Sequence, residues 1–116
     1  MRRGALSDPT HGREQGFVFT NAGEEPFHPS TAAAKVCVKD LGMADGYAMQ
    51  LVRFEPGAIF PPHIHRGPEF LYILEGELIQ CGRRLGPGWA SIAATGTLDD
   101  EVRSEKGCTF LTVYWE

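Results

Sequence analysis

A chain of 116 residues has room for one hydrophobic core and one domain. Its 42% hydrophobic and 22% charged residues are ordinary for a globular domain. A net charge of −4, with no basic run beyond Arg2-Arg3 and Arg83-Arg84, argues against nucleic acid as a partner. No apolar run nears the roughly 20 residues that cross a bilayer, so no membrane partner is expected either.

Residues 1–15 are polar, turn-rich and aperiodic, and read as a flexible N-terminal arm. Met1 to Pro9 has a basic start but no apolar stretch of signal-peptide type. Gly16 to Thr20 is the first credible strand, and Asn21 to Ser30 reads as a loop. Thr31 to Ala34 makes at most one helical turn, while Ala34 to Lys39 alternates apolar and polar as a half-buried strand does. Strands follow at Tyr47–Phe54, Ile59–His65, Glu69–Leu74, Leu78–Cys81, Trp89–Ala93, Asp99–Arg103 and Thr109–Trp115, separated by turn residues at short intervals. Gly 14 and Pro 8 are spread along the chain, as many short strands require. The pattern is all-β, a barrel or sandwich of the jelly-roll kind.

Cys37, Cys81 and Cys108 are odd in number, widely spaced and without a Cys-x-x-Cys pair. They read as small buried hydrophobes, and a cytoplasmic location is the expectation.

The chemistry concentrates in Gly57 to Gly76. His63 and His65, two apart on an extended segment, project to one side. Glu69 follows just past a Gly-Pro turn. Two imidazoles and a carboxylate on neighbouring strands form a facial set that leaves open positions on a metal such as Fe(II). Neutral imidazole nitrogens suit Mn(II), Ni(II) and Zn(II) as well.

The spacing Gly57-x5-His63-x-His65-x3-Glu69-x6-Gly76 resembles the first signature motif of the cupin superfamily at all five positions. With Leu51-Val-Arg-Phe-x-Pro-Gly57 before it and Phe70-Leu-Tyr-Ile-Leu-Glu-Gly-Glu77 within and after it, the chain is most similar to the short cupins akin to the metal-binding domain of the anti-sigma factor ChrR and to acetylacetone-cleaving dioxygenase. The resemblance covers Tyr47 to Trp115. It implies a single-domain cupin-type jelly-roll β-barrel over 16–116, a divalent metal with Fe(II) favoured, and a small-molecule substrate. The activity implied is oxygenation or cleavage of a β-diketone or enol-like compound. A metal-dependent isomerase or lyase, and a non-catalytic sensory module, remain alternatives. Short barrels expose sheet edges, so a homodimer is expected.

The second motif departs from the cupin pattern. There is no histidine after His65, and if Gly96 is the turn glycine, Asp99 stands where the histidine belongs. Asp99 has four readings: a substitute ligand, a bystander beside a vacated position, a general base, or a solvated loop acid. A one-residue slip would put Asp100 in its place. On strand alternation Asp99, Glu101 and Arg103 share a face. Arg53, on the strand leading into the motif, is a candidate partner for an anionic substrate or for Glu69 if it faces inward. His11 and His28 read as surface histidines.

Overall fold

The computed structural model describes residues 11–116, with side chains from Gln15 onward. The strands in chain order are β1 (His11–Glu14), β2 (Phe17–Thr20), β3 (His28–Pro29), β4 (Val36–Ala44), β5 (Tyr47–Phe54), β6 (Ala58–Phe60) and β7 (His63–Ile64). They continue with β8 (Glu69–Gly76), β9 (Leu78–Gln80), β10 (Arg83–Leu85), β11 (Ala90–Ala93), β12 (Leu98–Asp99), β13 (Val102–Ser104) and β14 (Cys108–Trp115). A 3-10 turn, Ala22–Glu24, capped by the Asn21 side chain, lies in the segment expected to be loop.

Six strands form one sheet in the order β11-β8-β14-β5-β4-β3, and four form the other in the order β10-β9-β13-β6. Every pairing is antiparallel. The two sheets face each other across the core, so the chain is the expected jelly roll. Alternation on β5 and β8 sends Val52, Phe54, Leu71 and Ile73 inward. They meet Val36, Ala58, Leu78, Leu85, Val102 and Phe110 in one cluster. Ile73 and Leu78 are fully enclosed.

The motif glycine at position 76 has a structural reason. Its φ is 78°, and a Cβ there would run into the Gly107 carbonyl and stand 2.6 Å from the Cys108 Cα. Only glycine serves where β8 passes the start of β14 this closely.

Four expectations are revised. The strand foreseen over Ile59–His65 is two strands in different sheets: β6 pairs β13, whereas β7 pairs β12. Pro61 and Pro62 lie between them and lack the N–H donors a continuous ladder needs. The strand foreseen over Asp99–Arg103 is broken likewise, into β12 and β13. Glu101 and Arg103 do share a face and pair at 3.5 Å, but Asp99 is buried on the other side of the break and is not on it. Cys81 is exposed, not buried: with Gly82 it makes a tight turn in which both residues have positive φ (53° and 72°), the geometry that joins twisted strands such as β9 and β10. Cys108 is buried as expected, and Cys37 is half-buried. Residues 1–10 of the expected arm lie outside the described residues, and its last part, His11–Glu14, is the strand that pairs with Phe17–Thr20. Among the described residues no helix is long and apolar enough to cross a membrane.

Candidate metal centre

The short ladder β7–β12 carries the site. Asp99 is the direct cross-strand neighbour of His63, and Leu98 of Ile64. The ladder is extended by the His65 N–H, which donates to the Thr97 carbonyl at 3.0 Å, and by the Gly96 N–H, which donates to the His65 carbonyl at 2.8 Å. Gly96 closes the turn with φ 87°. The turn thereby brings Asp99 to the histidines.

Four side chains converge: His63, His65, Glu69 and Asp99, with one potential ligand atom from each lying within 4.8 Å of the others. Metal–ligand bonds of about 2.1 Å place ligand atoms roughly 3 to 4 Å apart, and the separations of Asp99 from the two histidines fall in that range. Asp99 Oδ2 is 3.4 Å from His65 Nε2 and 3.8 Å from His63 Nε2. Glu69 Oε1 is 3.2 Å from His65 Nδ1.

Each member is oriented by something else. His63 Nδ1 lies 3.1 Å from the Pro61 carbonyl, an acceptor, which keeps the proton on Nδ1 and the lone pair on Nε2. The Phe60 ring packs edge-on against His63, with centroids 5.1 Å apart. Thr112 donates its hydroxyl to Glu69 Oε2 at 2.9 Å. Ser91 donates to Gln80 Oε1 at 2.5 Å, and Gln80 Nε2 reaches Asp99 Oδ2 at 3.4 Å.

The electrostatics favour a cation. His65 and Asp99 are 8% and 7% exposed, and Glu69 is half-buried. Among the described residues no lysine or arginine pairs with either carboxylate. Burying negative charge without a cationic partner is costly. His65 Nε2 is a buried nitrogen with no hydrogen-bond partner, and it points at the Asp99 carboxylate. An unpaired imidazole nitrogen facing a buried carboxylate fits a ligand for a divalent ion, and so does the donor set.

The cluster lies in the wall of a cavity of about 600 Å³, the size of small-molecule sites. Val52, Phe54, Leu71 and Phe110 give it apolar walls, and Tyr114 and Gln50 add polar groups. Burial raises the pKa of the Tyr114 phenol, and the negative charges of Glu116, Asp40 and Glu69 push it the same way. The phenol therefore keeps its proton.

His63, His65, Glu69 and Asp99 stand together, but Arg53 does not join them. Val52 and Phe54 occupy the inward positions of β5, so Arg53 faces out, with its guanidinium 4.1 Å from the Phe27 ring centroid. Asp100 is exposed. His28 is exposed at the surface, yet it borders the cavity and pairs with Asp40 at 3.1 Å. Sequence reasoning missed Gln80, Ser91 and Thr112. The one available signal was their polarity at inward strand positions beside Leu78, Phe110 and other apolar neighbours.

A jelly roll with a His, His, Glu, Asp cluster in the wall of a cavity is the arrangement of a cupin. Residues 15–116 match the ChrR cupin-like domain, and the chain belongs to that family. No curated protein matches its sequence. Among solved structures, the acetylacetone dioxygenase from Acinetobacter johnsonii is similar with a TM-score of 0.73 at 14% identity, covering 95% of this chain and 79% of that one. The polyketide cyclase RemF from Streptomyces resistomycificus gives a TM-score of 0.71 at 21% identity, covering 83% and 77%. The Rhodobacter sphaeroides complex of SigE with the anti-sigma ChrR gives 0.70 at 22%, covering 81% of this chain and 51% of that one. At these identities the similarity is one of fold.

Proposed function

We propose that this chain is a metal-dependent cupin enzyme acting on a small organic substrate, in the manner of an Fe(II) dioxygenase that oxygenates or cleaves a β-diketone or enol-like compound. The observation that carries the proposal is the convergence of His63, His65, Glu69 and Asp99 on a buried point where His65 Nε2 has no partner in the protein. These four residues would hold the ion. When bound, a divalent metal such as Fe(II) supplies Lewis acidity and one-electron chemistry with dioxygen.

The remaining work falls to the protein's own side chains. The Pro61 carbonyl presents His63 through Nε2, and Thr112, donating to Glu69 Oε2, leaves Glu69 Oε1 turned toward the cluster. Gln80 and Ser91 hold Asp99 in its rotamer. Val52, Phe54, Leu71 and Phe110 exclude water from the substrate. Tyr114, protonated, donates a hydrogen bond to a substrate oxygen in the cavity. Arg53 has no part in this reading.

A second reading keeps the ion and makes Asp99 the base. Among the described residues no lysine or arginine pairs with its carboxylate, which would take a proton from carbon while the metal stabilises the enolate. That reading is a non-oxidative isomerase or lyase.

Elemental analysis of the purified protein, followed by dioxygen uptake over a panel of β-diketones and enols, tests the proposal. One equivalent of metal with substrate-dependent uptake is the expected result. Metal without uptake, but with solvent deuterium exchange into the substrate, selects the second reading. Failure to hold or rebind metal would reject both.

A further inference from the structure

The loop Arg66-Gly67-Pro68 joins His65 to Glu69, and its shape decides whether the two side chains meet. They stand 3.2 Å apart, from His65 Nδ1 to Glu69 Oε1. Both ends of the loop are held. His65 exchanges backbone hydrogen bonds with Thr97 and Gly96, and Glu69 pairs with Tyr114 on β14 and Ala93 on β11. Trp115 holds the middle. Its N–H donates to the Pro68 carbonyl at 3.3 Å, which carries the ladder of β8 and β14 one step past Glu69. On its other side Trp115 faces Tyr47 on β5, and the Glu116 N–H donates to the Gly46 carbonyl at 2.8 Å. Trp115 thus stands between the turn that joins β4 to β5 and the loop that joins two members of the metal cluster.

Its side chain packs on a glycine in each. A Cβ on Gly67 would stand 2.5 Å from Trp115 Cβ, 2.9 Å from Cγ and 3.0 Å from Cδ2. Gly67 is buried, but its φ is not positive, so the backbone there suits any residue and this contact is what demands glycine. At the far edge of the indole, a Cβ on Gly46 would stand 3.1 Å from Nε1. Trp115 is 43% exposed and lies outside the apolar core cluster, so its ring serves these two turns and not the core. It also borders the cavity.

We infer that Trp115 is a positioning residue of the metal centre: its indole sets the loop that spaces His65 and Glu69. The inference rests on the four-residue metal site proposed above. β14 is paired with β5 on one side and β8 on the other along its length, so it does not yield to a crowded neighbour. The three-residue loop does. A functional constellation must be held to within about 0.5 Å. Loss of the ring, or a methyl group on Gly67, therefore reaches the ion through His65 and Glu69 without touching it.

Calorimetric titration of the full chain with Mn(II) tests the inference, at a temperature where circular dichroism shows each variant folded. Trp115→Ala and Gly67→Ala are each expected to weaken Mn(II) binding by about 10-fold or more, as losses of ligand-orienting residues do. Should Trp115→Ala not fold, Trp115→Leu takes its place with the same expectation. Trp115→Phe keeps an aromatic ring over Gly67 and should bind within about threefold of the wild type. Trp89→Ala removes an indole of similar exposure, 48%, just before β11, and should leave the dissociation constant unchanged. A residue that only stabilises the fold would lower the thermal midpoint in chelator and leave Mn(II) affinity as it was. That result at position 115, with wild-type affinity in Gly67→Ala, would overturn the inference and leave the metal site standing. A wild type that binds no Mn(II) would reject the site itself, and the inference with it.

Discussion

Asp99→Asn is the sharpest single perturbation of the site. Asparagine keeps the shape and still accepts a hydrogen bond from Gln80, but it removes a charge that lies 3.4 Å from His65 Nε2 and 3.8 Å from His63 Nε2. Without metal, the variant should be as stable as the wild type or slightly more so, because a buried carboxylate without a cationic partner is gone. With metal the order reverses. At free metal about 100 times the dissociation constant, binding stabilises the wild type by about 2.7 kcal/mol. If losing the carboxylate weakens binding about 100-fold, the gain left at that concentration is about 0.4 kcal/mol. The difference of about 2.3 kcal/mol corresponds to roughly 10 °C in melting temperature for a domain of this size. Thermal unfolding followed by circular dichroism, in chelator and in Mn(II), reads this directly. A variant that keeps the full metal-induced shift would refute the assignment of Asp99 as a ligand.

Four further outcomes are expected. Gly76→Ala should cost about 3 kcal/mol or more in chemical denaturation, since the methyl group meets the Gly107 carbonyl and the backbone must adopt a φ of 78°. Thiol labelling of the native protein should modify Cys81 quickly and Cys108 only on unfolding, because Cys108 is buried and burial raises its pKa. The Glu105 carboxyl is held below its ordinary pKa, first by its hydrogen bond to Arg84 and then by that to Arg103, so its contribution is present above the ordinary value and lost as pH falls through the lowered one. Arg84→Ala should therefore shift the urea midpoint at about pH 7, and that shift should shrink as the pH falls through the lowered value of Glu105. Tyr114→Phe should lower turnover on an enolisable substrate by about 10-fold or more while metal content stays the same; an unchanged rate would remove Tyr114 from the mechanism.

The first motif was legible because it is local: five positions within Gly57 to Gly76 identify the fold and half the site without reference to anything distant. Asp99 was legible by subtraction, as the acid standing where no histidine follows His65. What could not be read is what register and chain breaks decide. The facing of Arg53 depends on Val52 and Phe54 taking the inward positions of β5. The interruptions at Pro61-Pro62 and at Asp100-Glu101 reset strand alternation, which turned Val102 inward and left Asp99 without Glu101 and Arg103 on its face. Thr112 reaches Glu69 across 43 residues of chain, and Gln80 reaches Asp99 across 19, contacts that exist only once the sheets have paired. Cys81 was misread because a two-residue turn with positive φ at both positions usually announces itself with asparagine or aspartate, not cysteine.

The small ladder β7–β12 consists of two residue pairs and belongs to neither large sheet. Nothing of its own makes it durable. An ion gripping His63 and His65 on one side and Asp99 on the other would act as a staple, closing the stretch of chain between them much as a disulfide closes a loop. For a loop of this length the chain-entropy model assigns such a crosslink about 3 to 4 kcal/mol. The barrel mouth would then gain its rigidity at the moment of loading. Amide exchange at His65 and Gly96, whose N–H groups complete the ladder, would slow sharply with metal while the six-stranded sheet stays as it was.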